Sequence, residues 1–153
     1  MKDMTFYTIE SASPNTIHEI ITKCDEAFVE PISKADYYPA LLEKISKYAI
    51  VTVAKNDDDL LGYAAFYAND KTTCIAYLSL IGVRPKCQKQ GVGKKLLMQV
   101  EQISQFKGMA RINLEVKKSN DVAIEFYERQ GYRYLKDCSN NSIYMTKSLS
   151  SKE

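Results

Sequence analysis

The sequence predicts an α/β fold, an α+β arrangement with a mixed sheet, built as one domain. Stretches in which apolar residues recur at helical spacing are interspersed with short stretches rich in β-branched and aromatic residues, which favour strands. The chain of 153 residues shows no internal repeat, linker or low-complexity segment, so one core of ordinary size accounts for it. We therefore assign residues 1–149 to a single domain and residues 150–153 to a frayed tail.

The first third of the chain predicts one strand and two helices. Residues 5–9 have strand character, and Ser13 with Pro14 supplies an N-cap and a first-turn proline for the first helix. A second helical pattern includes Pro39 near its first turn, and a predicted loop separates it from the first helix. The apolar face of the first helix carries Ile17, Ile20, Ile21, Cys24 and Phe28.

The rest of the chain predicts three strands, a helix, a strand, a helix and a terminal hairpin. The short polar connections at 56–59 and 69–71 indicate that the three strands are antiparallel neighbours. Gly108 and Gly131 end the two helices. The predicted strands are 49–54, 60–68, 74–83, 112–116, 132–136 and 143–146, and the helices follow Gly93 and occupy 121–130. The predicted order is therefore β-α-α-β-β-β-α-β-α-β-β.

The composition excludes several classes of protein. With a net charge of +2 there is no strongly basic field, so we expect no nucleic-acid partner. Four cysteines without a CxxC pair and the lone His18 predict no metal site. No stretch approaches the roughly 20 apolar residues of a membrane span, and the start lacks the signal-peptide pattern. We therefore expect a cytoplasmic protein with reduced thiols and no membrane contact.

The segment 83–95 carries the clearest chemical signal. It leaves a predicted strand and enters a helix, with Gly91 and Gly93 at the junction, so bare backbone can approach a ligand there. The unpaired N–H groups of a helix's first turn, at the positive end of its dipole, bind phosphate. Additional positive charge comes from Lys89, Lys94 and Lys95.

Two other nucleotide-binding motifs fail in this segment on residue identity. A Walker A loop needs Gly where Gln88 stands and Ser or Thr where Lys95 stands, and a Rossmann fingerprint needs a third glycine after Gly93. Two glycines alone would equally suit a plain strand-to-helix turn, so the context decides between the two interpretations.

Two motifs stand one predicted helix apart. The first is Gln88-Lys89-Gln90-Gly91-Val92-Gly93, preceded by Val83-Arg84-Pro85. The second runs from Leu114 to Tyr132 and reads L-E-V…N-x-x-A-x-x-F-Y-x-x-x-G-Y. They resemble the Q/R-x-x-G-x-G/A signature and the L-E-V…F-Y-x-x-x-G-F pattern of the GNAT superfamily of acetyl-CoA-dependent N-acetyltransferases. The resemblance is strongest from 60 to 132, and the N-terminal third matches only in outline.

The resemblance implies a GNAT-like domain with a splayed central sheet. The strand that ends at Val83 would diverge from the strand 112–116 and leave a V-shaped cleft for the pantetheine arm of acetyl-CoA. The backbone of Ile81 and Val83 would pair with pantetheine amides, and Asn120 would bond the cofactor arm. The pyrophosphate would rest on the amides of Gln88, Lys89, Gln90, Gly91, Val92 and Gly93.

The same resemblance implies a role for Tyr127 as the acid beside the thioester sulfur. A phenol of pKa about 10 can protonate or hydrogen-bond a departing thiolate whose own pKa is about 8.5. The alternative for Tyr127 is a core aromatic on the helix face that it shares with Ala123 and Phe126.

Glu115 is the first candidate for the base that deprotonates the acceptor amine. It alternates with the core residues Leu114 and Val116 on a strand beside the predicted cleft, where we expect its carboxylate to be desolvated. Many GNAT members carry this glutamate as a structural hydrogen-bonding group. The strand before the phosphate loop offers only Tyr77 and Ser79 instead of an acid, so Tyr77 with ordered water, or an amine of low pKa, stays open as the alternative.

The expected acceptor is the primary amine of a small molecule or peptide. Acidic and aromatic residues of the first two helices and their loop would suit a cationic amine, although a solvated helix face explains them equally well. These residues are Asp25, Glu26, Glu30, Tyr37 and Tyr38. The phrase from 66 to 81 resembles GNAT members from polysaccharide-biosynthesis neighbourhoods, so an amino sugar is included. The rival function is an inactive acyl-CoA-binding sensor or scaffold, and a homodimer stays open.

Overall fold

The computed structural model of the protein describes residues 4–25, 31–88 and 90–149, and it confirms the predicted α/β class and the predicted order of elements. Single 3-10 turns occur at Ile32–Lys34 and Pro85–Cys87. The strands are β1 (Thr5–Glu10), β2 (Ile50–Asn56), β3 (Asp59–Tyr67), β4 (Ile75–Val83), β5 (Arg111–Lys117), β6 (Arg133–Cys138) and β7 (Ser142–Ser148). The helices are α1 (Pro14–Lys23), α2 (Tyr38–Tyr48), α3 (Val92–Phe106) and α4 (Asp121–Arg129).

The start of α1 follows the predicted capping chemistry. The Ser13 hydroxyl accepts a hydrogen bond from the Thr16 amide at 3.3 Å, and Pro14 occupies the first turn. The helix ends at Lys23 with Cys24 as its C-cap, so the buried face predicted from Ile17 onwards ends there. Phe28, which the prediction placed on the same face, lies outside the described residues.

All seven strands form one mixed sheet in the order β1-β2-β3-β4-β5-β7-β6. The only parallel neighbours among the described strands are β4 and β5, which α3 connects. Their pairing covers four residue pairs, from Ile75 with Arg111 to Leu78 with Leu114. Beyond this seam the two strands separate, which confirms the predicted splayed sheet.

Ser79 is the residue at which the two strands begin to separate. Opposite β3, Leu78 pairs with Phe66 and Leu80 pairs with Ala65, so Ser79 is an extra residue in β4. A β-bulge of this kind bends its strand and interrupts its pairing. The bulge therefore explains why β4 leaves β5 immediately after Leu78.

The sheet has a hydrophobic core on each face. On one face, α1 and α2 pack on β2 and β3, and no described residue of β5, β6 or β7 belongs to that core. On the other face, α3 and α4 cover residues of β3, β4, β5 and β7. The carboxylate of Glu101 in α3 links this helix to the second half of the sheet, because it accepts hydrogen bonds from Tyr132 (2.9 Å) and Lys147 (3.1 Å).

Close packing of α3 on β3 and β4 requires glycine at position 62. A Cβ atom added to Gly62 would lie 2.7 Å from the Gly82 carbonyl oxygen and 3.1 Å from Leu96 Cδ1. We predict that Gly62→Ala lowers the free energy of unfolding by about 1–3 kcal/mol, because backbone atoms would have to move. Urea denaturation measures this change.

Gly93→Ala is the matched control for this prediction. Its added Cβ atom would meet Phe126 Cζ at 3.5 Å, which is an ordinary van der Waals contact. The control should therefore unfold at the same urea concentration as the wild type or slightly above it. Equal destabilisation by the two substitutions would contradict the packing argument.

Candidate active site

No strand of the described residues pairs with the edge of β4 that faces β5 from Ser79 to Val83, and this edge forms one wall of a cleft. The Arg84 amide donates to the Leu61 carbonyl oxygen at 2.9 Å, towards β3. Because antiparallel residues alternate between pointing their N–H and C=O groups towards and away from a neighbour, Ile81 and Val83 point theirs into the cleft. The predicted pairing edge is thus available at Ile81, whereas the Val83 carbonyl already accepts from Gln88 Nε2 at 3.1 Å.

The cleft leads to the first turn of α3. Gly91 is the N-cap of this helix with a φ of 79°, a left-handed conformation that favours glycine. The first helical hydrogen bond runs from the Lys95 amide to the Gly91 carbonyl oxygen at 3.1 Å. The amides of Val92, Gly93 and Lys94 have no acceptor among the described residues. Three unbonded amides at the positive end of a helix dipole form a site for an anion.

The two glutamines of the first motif brace the loop. Gln90 Nε2 donates to the Lys86 carbonyl oxygen at 3.4 Å, and the Gln88 side chain holds the Val83 carbonyl as described above. The Gln88 amide itself donates to the Pro85 carbonyl oxygen at 3.2 Å. Gln88 therefore shapes the loop; its amide, which the sequence analysis expected to meet the pyrophosphate, donates to Pro85 in this structure. Lys89 lies outside the described residues.

Positive charge near the loop remains concentrated on the first turn of α3. Arg84 and Lys86 both form ion pairs with Asp59, at 3.2 and 3.4 Å. Lys94 and Lys95 are exposed and have no acidic partner within the part of the chain that the structure describes. These two lysines are the charges that an anion at the amides of α3 would meet.

Asn120 is the N-cap of α4, the helix that follows β5, and Tyr127 lies within this helix. The Asn120 side-chain oxygen caps this helix by accepting from the Ala123 amide at 3.1 Å, so only its amide nitrogen remains to donate to a ligand. Tyr127 is 8% exposed, and its ring packs edge-on against the rings of Phe126 and Tyr132. The ring centroids lie 5.3 and 5.8 Å apart, respectively. Burial raises the pKa of the Tyr127 hydroxyl to about 12, which keeps it protonated at neutral pH.

Glu115 lies on the face of β5 that points away from α3 and α4. It directly follows Leu114, the last residue of β5 that pairs with β4. Its side chain is exposed, so the structure differs from the expected desolvated carboxylate. Burial and, after it, the Glu115 carboxylate raise the pKa of Tyr77 to about 12. A phenol with such a pKa is a poor proton acceptor at neutral pH. Of the two residues, Glu115 is therefore better suited to act as a base.

The sequence matches the model of the Acetyltransferase (GNAT) family over residues 15–132. The chain belongs to the GNAT family of acetyltransferases. This confirms the resemblance carried by the two motifs.

The GNAT relatives include enzymes with different acceptors. The chain is similar to peptidyl-lysine N-acetyltransferase YiaC of Escherichia coli (strain K12), with 29% identity over 113 residues, 71% of this chain and 69% of that protein. Its fold resembles ribosomal-protein-S18-alanine N-acetyltransferase of Escherichia coli, with a TM-score of 0.74 and 20% identity over 99% and 97% of the two chains. It also resembles PaiA N-acetyltransferase of Thermoplasma acidophilum in complex with coenzyme A, with a TM-score of 0.73 and 19% identity over 95% and 99%. At these identities the two solved structures establish the fold.

Two of the five residues expected to form the acceptor pocket of this GNAT protein, Asp25 and Tyr38, form hydrogen bonds within the α1–α2 region, and the other Asp25 carboxylate oxygen is buried without a partner among the described residues. Ser33 donates a hydrogen bond to the Asp25 carboxylate, and the Tyr38 hydroxyl lies 2.7 Å from His18 Nδ1. Tyr37 is 60% exposed, and Glu26 and Glu30 lie outside the described residues. Asp25 and Tyr38 thus hold the α1–α2 region together through side-chain hydrogen bonds.

Asn113 is a candidate residue that the sequence analysis missed. It pairs with Tyr77 across the seam and lies two residues before Glu115 on the same face of β5. Its side-chain oxygen is buried and has no hydrogen-bond partner among the described residues. Such an orphaned acceptor calls for a donor from a ligand or water. The alternation of β5 contained the signal, because it places Asn113 and Glu115 on one face.

Residues 4–25, 31–88 and 90–149 offer neither a metal-binding cluster nor a membrane-spanning helix. No group of three or more His, Cys, Asp or Glu side chains there is arranged to hold a metal ion. No helix in these ranges is long and apolar enough to cross a membrane.

The influence of Glu115 on Tyr77 is testable without any substrate. We predict that Glu115→Gln lowers the pKa of Tyr77, because the negative charge that disfavours the phenolate is removed while burial remains. NMR titration with ring-labelled tyrosine measures this pKa, and Tyr77→Phe assigns the resonance. Glu125→Gln, which removes a carboxylate that pairs with Arg129 on α4, is the control and should leave Tyr77 unchanged. An unshifted Tyr77 in Glu115→Gln would contradict the arrangement.

Proposed function

We propose that this protein transfers an acetyl group from acetyl-CoA to the primary amine of a small molecule or peptide by direct transfer. The observation that carries the proposal is the continuity of the unpaired β4 edge with the unbonded first turn of α3. An extended arm with amide groups fits the first, and a pyrophosphate at its end fits the second.

The residues from the β4 edge to the first turn of α3 suit the successive parts of coenzyme A, from the pantetheine arm to the pyrophosphate. Ile81 would pair with an amide of the pantetheine arm, and the Asn120 amide nitrogen would donate to the same arm. The amides of Val92 and Gly93, with the exposed Lys94 beside them, would hold the pyrophosphate. The solved structure of the Thermoplasma relative, which contains coenzyme A, supports this use of the fold.

Acetyl-CoA supplies an acetyl group activated as a thioester. The amine nitrogen forms a bond to the acetyl carbon while the bond from that carbon to sulfur breaks. Because an unperturbed alkyl ammonium has a pKa of about 10.4, Glu115 must first remove a proton from the acceptor. As the amide forms, the nitrogen loses a second proton to solvent, while Tyr127 donates its hydroxyl proton to the sulfur and is reprotonated from solvent. One proton net is thus released in each turnover, the one that Glu115 first accepts and then passes to water. The products are the acetylated amine and the free thiol of coenzyme A.

The acceptor is proposed only by chemical class. YiaC is a peptidyl-lysine N-acetyltransferase, and another fold relative acetylates an alanine of a ribosomal protein, so peptide amines are the first class to test. Amino sugars and other small amines form the second class. Thiol release from acetyl-CoA in the presence of pooled acceptors from each class tests the proposal directly.

Gly91 allows a matched test of the anion site. We predict that Gly91→Ala weakens coenzyme A binding about tenfold or more, because a methyl group at the N-cap obstructs the approach of the pyrophosphate. Isothermal calorimetry measures the affinity. Gly108→Ala is the control, since Gly108 also has a positive φ (91° against 79°) and also has no atom within 4 Å of an added Cβ.

Both glycine variants should lose similar stability from left-handed strain, about 1–2 kcal/mol. Only Gly91→Ala should lose affinity for coenzyme A. If both variants bind as tightly as the wild type, the pyrophosphate lies elsewhere.

Tyr127→Phe tests the proposed acid. We predict a fall in turnover of about a hundredfold to ten-thousandfold with little change in coenzyme A affinity, because only the hydroxyl is removed. Steady-state thiol release measures turnover. An acetyl donor with a more acidic thiol should partly rescue the variant, because its thiolate leaves without a proton.

Tyr132→Phe is the control for Tyr127→Phe in the same aromatic cluster. It removes the hydroxyl that donates to Glu101 at 2.9 Å, so it should lower stability and leave turnover nearly unchanged. Wild-type turnover in Tyr127→Phe would make Tyr127 a packing residue and remove the assigned acid.

A further inference from the structure

The face of the sheet that carries Glu115 continues across β7 and β6, and the α1–α2 core does not extend over it among the described residues. Strand register arranges its side chains in rows that start at the cleft. One row runs from Tyr77 through Asn113 and Thr146 to Arg133, and the next from Glu115 through Tyr144 to Lys136. Ser142 and Thr146 of β7 point to the same side but are buried. We call this surface the open face; its residues are Arg111, Asn113, Glu115, Lys117, Arg133, Lys136, Cys138 and Tyr144.

The open face is predominantly cationic. Glu115 is the single carboxylate among these residues, against four positive side chains. Lys117 donates to the Asn140 carbonyl oxygen at 3.0 Å, and Arg111 Nε donates to Thr146 Oγ1 at 3.2 Å. Arg133 and Lys136 are exposed, and neither has an acidic partner among the described residues. An anion is therefore attracted to the β6 side of the open face, and a second cation is repelled from it.

The two ends of the open face differ in chemistry. Beside the cleft, the Glu115 carboxylate and the unpartnered oxygen of Asn113 are both acceptors, which suits the N–H donors of an ammonium group. On β6, Lys136 Nζ lies 5.9 Å from the centroid of the Tyr144 ring, and Arg133 stands in the neighbouring row of the same strand. Two interstrand spacings separate β5 from β6, which corresponds to about 10 Å.

We propose that the open face binds the acetyl acceptor, and that the acceptor is an amine carrying a carboxylate or phosphate group about 10 Å from the reacting nitrogen. The nitrogen lies at Glu115 and Asn113, and the anionic group lies at Arg133 and Lys136. This inference rests on the proposed function, because it specifies the acceptor of the same cleft. It differs from the purely cationic acceptor that the acidic α1–α2 residues suggested, because it adds an anionic group at the far end of the amine.

The experiment uses four probes with the same eight-carbon chain and amine but different far ends. They are ω-aminooctanoate, ω-aminooctyl phosphate, ω-aminooctanamide and diaminooctane. Calorimetry measures their binding to the protein saturated with coenzyme A. We expect at least one anionic probe to bind at least tenfold more tightly than the diamine and more tightly than the neutral amide. The preference between carboxylate and phosphate identifies the anionic group.

Two variants test the two ends separately. The double substitution Arg133→Glu with Lys136→Glu should reverse the order, so that the diamine binds best. Asn113→Leu should weaken all four probes by a similar factor, because it acts on the amine end. The matched control, Lys23→Glu with Lys55→Glu, makes the same change in net charge on residues outside the open face and should keep the wild-type order.

Each outcome decides the proposal. If the wild type binds none of the probes, or binds them without regard to charge, the proposal is wrong. It is equally wrong if the double variant keeps the preference for anions, and the placement of the amine is wrong if Asn113→Leu changes no affinity. Coenzyme A binding in the same samples distinguishes the proposed function from the proposed acceptor class. If coenzyme A does not bind, the proposed function is refuted. If coenzyme A binds but the probes show no charge preference, only the acceptor class is refuted.

Discussion

The extra residue in β4 is the constraint on which the rest of the site depends. Ser79 shifts the alternation of the strand, so Leu78 and Ile81 both pack towards α3 whereas Leu80 packs towards α1 and α2. The same bulge ends the pairing with β5 and frees one edge of β4. If β4 did not diverge from β5, the backbone of Ile81 would form hydrogen bonds with β5. No channel would then lead to the start of α3.

Much of the fold could be predicted because its signals are local. Apolar spacing, β-branched and aromatic composition and turn residues identified the helices and strands of the described chain in the correct order, and Ser13, Gly108 and Gly131 marked helix boundaries by their own conformational or capping preferences. The anion site also rests on local chemistry, since a glycine N-cap and the amides that follow it are consecutive in the sequence. The match to the GNAT family model agrees with the two motifs because those motifs are also read from nearby residues of the sequence.

The features that could not be predicted depend on cross-strand register or on burial. The role of Gln88 as a brace follows from where the Val83 carbonyl points, which spacing alone does not give. The exposure of Glu115 and the orphaned oxygen of Asn113 depend on what covers β5 on one face. The proximity of Arg133 and Lys136 to the cleft depends on β7 lying between β5 and β6, an order that differs from the order in sequence.

The four-pair seam also divides the molecule mechanically. On one side lie β1 to β4, and on the other lie β5, β6, β7 and α4, with the α3 crossover and the Glu101 hydrogen bonds as further links. A ligand in the cleft would contact Ile81 and α3 on one side and Asn120 on the other. It would therefore link the two halves of the molecule. Ligand binding in the cleft would then determine how strongly the motions of the two halves are coupled. Without ligand, slow opening motions would be concentrated at the seam between β4 and β5.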